Sequence, residues 1–292
     1  MKFGISFPQA EIGTDRIVIR DFAQAAEDMG YNHISVPDHV IQAATPRGPE
    51  AMSVHYTKDF PHHEPMTMMA FIAGVTEIIG INPAIVILPQ RQAVLVAKQA
   101  AEIDVLCGGR LRFGVGIGWN ELEFEALDMD FNNRGKRVEE QVQVLRLLWT
   151  QELVTFHGKW HTINGAGLAP MPIQRPPEIW FGAVSDVAVR RAGRLGDGFF
   201  MIARLKPDDE SRRVVQVFRD AAEEAGRNPD SLGVESMVYS KLGGPDEWIA
   251  DARAWVDLGA TQLVFRTTEG GYSSFDEHLD AMEEFADAMK EF

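Results

Sequence analysis

Apolar segments of two different periods alternate along the whole chain, and this alternation restricts the folds open to it. Short apolar or β-branched runs at residues 2–7, 32–36, 81–88, 111–117, 178–182, 198–202, 234–239 and 261–266 read as strands. Stretches with apolar residues at helical spacing follow them at 15–29, 67–77, 92–107, 134–149, 185–195, 207–225, 245–258 and 274–292. Eight strand–helix units averaging roughly 36 residues predict a (β/α)8 barrel with insertions, against a doubly wound parallel sheet as the competing arrangement. The nearly continuous apolar run at 81–88 suits a strand buried on both faces, as parallel sheets require. In the first helix Val18, Phe22, Ala25 and Met29 mark the inward face, with Thr14 as N-cap and Gly30 past the end. The helix at 92–107 stops at Gly108-Gly109, a left-handed cap. Extra segments fall at 42–66, 119–133 and 152–177, that is, after strands 2 and 4 and before strand 5. The last contains a hairpin turning at Gly158. No low-complexity tract divides the chain, so residues 1–292 are expected to form one domain.

Composition narrows the function classes. The 292 residues carry a formal net charge of −15, which disfavours binding to a phosphate backbone or an anionic membrane. A single cysteine, Cys107, excludes internal disulfides and multi-thiolate sites; it lies on the inner face of its helix and is expected in the core. The N-terminal residues lack a signal-peptide pattern. The longest apolar stretch, 68–75, falls well short of the roughly 20 residues of a membrane helix. A cytoplasmic protein acting on small molecules is the expectation.

In a barrel, function collects where strands end. Asp38-His39 follows the second strand directly, and a histidine there can exchange protons near neutral pH while a neighbouring carboxylate orients it. A local loop cap by Asp38 is the plainer alternative. Gly114-Val115-Gly116-Ile117-Gly118 has neither the spacing nor the position of a dinucleotide fingerprint. Its glycines either let a ligand approach the backbone or simply allow tight packing. Ser185-Asp186 after Gly182-Ala183-Val184 opens a helix, either as an anion site or as an ordinary serine cap. His55, His62, His63 and Glu64 share one loop, whereas barrel metallohydrolases draw ligands from several strand ends, so no metal is expected. Arg47, Lys58, Arg204, Lys206 and Arg266 are candidates for gripping an anionic group, with solvated surface as the competing role.

Four segments in register carry a family resemblance: Val36-Pro37-Asp38-His39, Leu88-Pro89-Gln90-Arg91 leading into 97–110, Gly114 to Glu121 with its Gly-x-Gly-x-Gly-Trp-Asn, and 190–199. Together they resemble the luciferase-like monooxygenase superfamily, specifically its branch of oxidoreductases that use the deazaflavin coenzyme F420. The resemblance implies a luciferase-like TIM barrel, a homodimer, and a flavin or deazaflavin at the C-terminal mouth. It implies cofactor contacts from Phe7, Asp38, His39, Ala84, Ile85, Gly116, Gly118 and Asn120, and from Met201 and Ile202. Gly182, Ala183, Val184 and Ser185 would meet the cofactor phosphate. It further implies a cis peptide at Ala84-Ile85, although Pro83 and Ala84 stand where relatives commonly have Thr and Gly. His39 would exchange the substrate proton, with Asp38 fixing its tautomer. Trp119 stands where sugar-phosphate dehydrogenases of the branch place a glutamate; Glu121 and Glu123 are close by. Trp119, Glu121, Arg204 and Arg266 are the substrate candidates. The implied activity is hydride transfer between F420 and a small organic substrate. Alternatives are an FMN-dependent monooxygenase and, from another class, a non-redox barrel or metal hydrolase.

Overall fold

The computed structural model describes residues 1–45, 57–201 and 206–292. Its strands are β1 (Lys2–Ser6), β2 (His33–Val36), β3 (Gly80–Pro83), β4 (Val86–Ile87), β5 (Arg112–Gly116), β6 (Val154–His157), β7 (Thr162–Ala166), β8 (Glu178–Ala183), β9 (Gly198–Met201), β10 (Gly233–Tyr239) and β11 (Gln262–Arg266). The helices are α1 (Arg16–Asp28), α2 (Pro65–Val75), α3 (Ala93–Leu106), α4 (Glu121–Ala126), α5 (Arg134–Thr150), α6 (Asp186–Leu195), α7 (Asp209–Glu224), α8 (Pro245–Asp257) and α9 (Phe275–Ala288).

Nine strands form one sheet in the order β3-β2-β1-β11-β10-β9-β8-β5-β4, every neighbouring pair parallel. Because β3 and β4 are successive pieces of one strand, the two edges of the sheet meet and the ring closes. A bridge from Ile81 to Leu111 helps to close it. This is an eight-stranded (β/α)8 barrel, and the doubly wound alternative falls away. The run expected as one strand at 81–88 is broken. Pro83 has no N–H to continue the ladder, Ala84-Ile85 is a cis peptide, and Leu88–Gln90 forms a short 3-10 turn.

Alternation along each strand sends one set of side chains into the ring and the other against the helices. Inside, Arg112 bonds Glu235 and Gln262 and lies 4.3 Å above the Trp180 ring, while His33 stands 3.0 Å from Glu235. Outside, Phe199 stacks on Phe218 at 5.4 Å and Phe265 on Phe285 at 4.1 Å. Large aromatic surfaces are thus removed from water on both faces, each side chain contributing roughly 1.5–3 kcal/mol.

Two details of α1 differ from expectation. Asp15, not Thr14, caps it, accepting from Ile17 N–H at 2.8 Å. Its buried face is Ile19, Phe22, Ala23 and Ala26, because Phe22 packs edge-on against Phe7 at 5.1 Å and sets the rotation. The β6–β7 hairpin turns at the expected place, and Glu140 of α5 holds it by accepting from the amides of Lys159, Trp160 and His161. Cys107 is buried in the core as expected.

Candidate active site

A cavity of about 810 Å³ opens where the barrel strands end. Its wall takes Phe7 from beyond β1, Asp38 and His39 from beyond β2, Ala84 and Ile85 between β3 and β4, and Gly116, Gly118 and Trp119 from the end of β5. Gly182, Ala183, Val184 and Ser185 line it at the start of α6, and Arg266 at the end of β11. Strand ends far apart in the sequence therefore converge on one space.

Three expected residues do not reach it. Asn120 is buried as the N-cap of α4, off the cavity wall. Glu121 begins α4 and points to solvent. Met201 lies two residues after Phe199 and so shares its outward face, 2 % exposed, whereas Phe200 turns inward over Arg112. Ile202 and Arg204, with Arg47 and His55, lie outside the described residues. Lys58 pairs with Asp59 at the surface, and Lys206 lines the cavity.

His39 is held by a different carboxylate from the one expected. Its Nδ1 is 3.1 Å from each carboxylate oxygen of Glu123. Glu123 also accepts from Val40 N–H at 2.7 Å and from the Gln90 amide at 3.2 Å. Glu121 and Glu123 are two residues apart on one helix, so they face nearly opposite directions, and only the second meets the barrel. Burial opposes ionisation of Glu123, but His39, the Val40 amide and Gln90 together hold its pKa below the ordinary value.

Asp38 does not touch His39's tautomer-setting nitrogen. Its oxygens accept from Ile87 N–H at 2.9 Å and from Arg91 Nη2 at 2.8 Å. Burial pushes its carboxyl upward, against the pull of Arg91 and the Ile87 amide. Arg91 also reaches Glu64 at 2.9 Å, and Glu64 caps α2 through Thr67 N–H. Asp38 thus ties the second strand end to β4 and, through Arg91, to the segment entering α2.

The surroundings of His39 are aromatic. Its ring lies 5.1 Å from that of His62 and 5.9 Å from Trp119, and Phe60 packs on His62 at 5.3 Å. Burial, with His39 adding to it, lowers the pKa of His62 to about 4, so its imidazole is neutral at working pH. Among the described residues no group of His, Cys, Asp and Glu could hold a metal ion. His63 packs on Phe7 instead. Farther round the wall stand Tyr239, at the end of β10, and Asp251, Trp255, Thr268 and Glu269, the last four announced by no local motif. Burial raises Asp251 to about 6.

The luciferase-like monooxygenase family model matches residues 1–242. A Mycobacterium tuberculosis protein named only as uncharacterised is 33% identical over 237 residues, 79% of this chain and 81% of its own length. An F420-dependent glucose-6-phosphate dehydrogenase of Nakamurella multipartita is 26% identical over 261 residues, 88% of this chain and 73% of that protein. An FMNH2-dependent dimethylsulfone monooxygenase of Pseudomonas putida is 37% identical over 142 residues, 47% of this chain and 39% of that one. With a closed barrel, a cavity at its C-terminal mouth, and a family match that runs from the first strand through the seventh, the chain belongs to the luciferase-like monooxygenase family.

Proposed function

We propose that this protein is an oxidoreductase that moves hydride between coenzyme F420 and a small organic substrate at the C-terminal mouth of the barrel. The observation that carries the reading is the buried His39–Glu123 pair on the cavity wall. The carboxylate accepts the Nδ1 proton, so in the neutral ring Nε2 holds the lone pair and can take a proton from a substrate hydroxyl, or return one. Trp119 packs edge-on beside the His39 ring, and Asp38 fixes the strand end that presents it.

The cavity suits a flavin-like group. Its volume lies within the ordinary range for ligand sites. Gly116 and Gly118 line it with backbone, and tight packing requires both glycines, since a Cβ would strike Ile85 at the first and Ile87 at the second. The turn from Gly182 to Ser185 leads into the N-terminus of α6, whose amides and positive dipole end favour a phosphate. These residues, with Ala84 and Ile85, would hold the cofactor. When bound, the deazaflavin supplies a carbon centre for hydride exchange.

F420 is preferred over FMN on two grounds: the Pro37-Asp38-His39 strand end and the likeness over most of the chain to an F420-dependent dehydrogenase. The Pseudomonas relative supports the alternative of an FMN-dependent monooxygenase, over a shorter span. Titration of the purified protein with both cofactors tests the choice. F420 is expected to bind at least about tenfold more tightly, a difference of roughly 1.4 kcal/mol. Equal or reversed affinities would move the assignment to the FMN-dependent reading.

A further inference from the structure

Ser6 is the last residue of β1. Gly4 faces His33 inside the ring, so alternation along the strand points Ser6 inward as well. There it lines the cavity and stays partly exposed, and the surface it exposes is the cavity's own. Among the described residues its hydroxyl makes no hydrogen bond. The serine beside it differs. Ser35, its register partner on β2, bonds the Asn82 amide at 3.0 Å. The NH2 of that amide faces the carbonyls of Pro83 and Arg112, and its oxygen faces Arg112 Nη2 at 2.8 Å, so the oxygen takes the Ser35 proton. Ser6 is thus the serine with a proton to give on this part of the cavity floor.

The two sides of the floor differ in chemistry. Where β3, β4, β5 and β8 meet the cavity, Ala84, Ile85, Ile87, Gly116, Gly182 and Ala183 bring no polar side-chain atom. The opposite side is polar. Ser35 and Ser6 are register partners, as are Arg266 and Tyr239, and the pairing of Ile5 with Phe265 sets the two pairs side by side on β2, β1, β11 and β10. In this row Arg266 already serves Glu269 at 3.6 Å and the Tyr239 hydroxyl, while Ser6 serves nothing. The Gly182–Ser185 turn follows β8, four places from β1 around the ring. A ring tethered there by its phosphate chain would reach across the floor toward β1, and carbonyls on its polar edge, cut off from water, would need donors. The reacting group of a substrate belongs beside His39, three residues past the end of β2, whereas Ser6 sits within its strand.

We propose that Ser6 is a cofactor-binding residue whose hydroxyl donates to a carbonyl oxygen on the pyrimidine edge of the ring. The proposal rests on a deazaflavin or flavin filling the cavity, as in the reading above, but not on which of them does so, because F420 and FMN share that edge. The full-length protein is titrated with F420, FMN and riboflavin, the last of which lacks the phosphate. Ser6→Ala is expected to weaken all three by about fivefold, the loss of one neutral hydrogen bond. Ser6→Cys, similar in size but a poor donor, should fall between the two and covers the case of a poorly folded alanine variant. Raman spectra of the bound ring give a second readout: its carbonyl stretch should move to higher frequency in both variants, a change that loosened packing alone does not produce. The proposal is overturned if the variants keep wild-type affinities or if the carbonyl band does not move. It is also overturned if F420 and FMN weaken while riboflavin does not, which would assign the hydroxyl to the phosphate. Equal affinity of wild type for F420 and FMN would sink the hydride-transfer reading and leave the role of Ser6 intact, whereas binding of none of the three would sink both.

Discussion

Glu123 accepts from His39 Nδ1 and Val40 N–H at once, and a glutamine in its place reverses half of that arrangement. The carbonyl of the substituted amide would keep the Val40 N–H, leaving its NH2 to donate to Nδ1 and drive the ring proton to Nε2. Glu123→Gln should therefore lower turnover by roughly 10²–10⁴-fold, much as His39→Asn should, with cofactor affinity little changed in either. Steady-state kinetics after a substrate screen of enones, alcohols and sugar phosphates gives the answer; full activity in Glu123→Gln would rule out the tautomer argument. Asp251 offers a separate test through stability. Its folded pKa of about 6 lies above the unfolded value, so the cost of its charge is absent below about pH 4 and grows as pH rises through 6. Because the group is partly solvated, Asp251→Asn should add only about 1 kcal/mol at pH 8 and nothing at pH 4. Thermal melts at the two pH values check the sign.

Barrel closure depends on close approach between strand elements, and glycine sets how close. A Cβ on Gly114 of β5 would lie 2.0 Å from the Pro83 carbonyl oxygen of β3 and 2.9 Å from the Phe200 ring of β9. Backbone cannot move aside as a flexible side chain does. Gly114→Ala should cost about 2–3 kcal/mol or more. Gly74, in α2, has nothing within 4 Å of such a Cβ. The same substitution there should raise stability by about 0.5–1 kcal/mol, since alanine loses less backbone freedom in a helix. Urea unfolding of the pair should give opposite signs. Like signs would mean that the β3–β5 contact is looser than described.

The cavity wall draws on segments that follow strands all round the ring, so a ligand filling it bridges many of them. Binding confined to the folded state stabilises by mass action. F420 at about 100 times its dissociation constant should add about 2.7 kcal/mol, and FMN at the same concentration, binding tenfold more weakly, about 1.4 kcal/mol. For a chain of this size that corresponds to melting shifts of roughly 5–10 °C and about half as much. Differential scanning fluorimetry with both cofactors measures it, and equal shifts would contradict the predicted F420 preference. No helix among the described residues is long and apolar enough to cross a membrane.

Hydrophobic period, glycine and capping chemistry are local, and they wrote most of the architecture into the sequence. The eight strand–helix units, the Gly30 stop of α1 and the Gly108-Gly109 stop, all three glycines at positive φ, are set by neighbours within a turn or two. The strand ends also named most of the cavity wall, since the strand-to-helix loops of a parallel barrel gather at one mouth. Local chemistry could not say which carboxylate serves His39. Asp38 is adjacent in sequence but points to Arg91, 53 residues away, while Glu123, 84 residues away, supplies the bond. Nor could it foresee the bond from the backbone N–H of His63 to the Gln9 side chain, 54 residues distant. Hydrogen bonds of that kind exist only after ring closure brings residues from separate strand ends into contact, so they were decided by the tertiary structure.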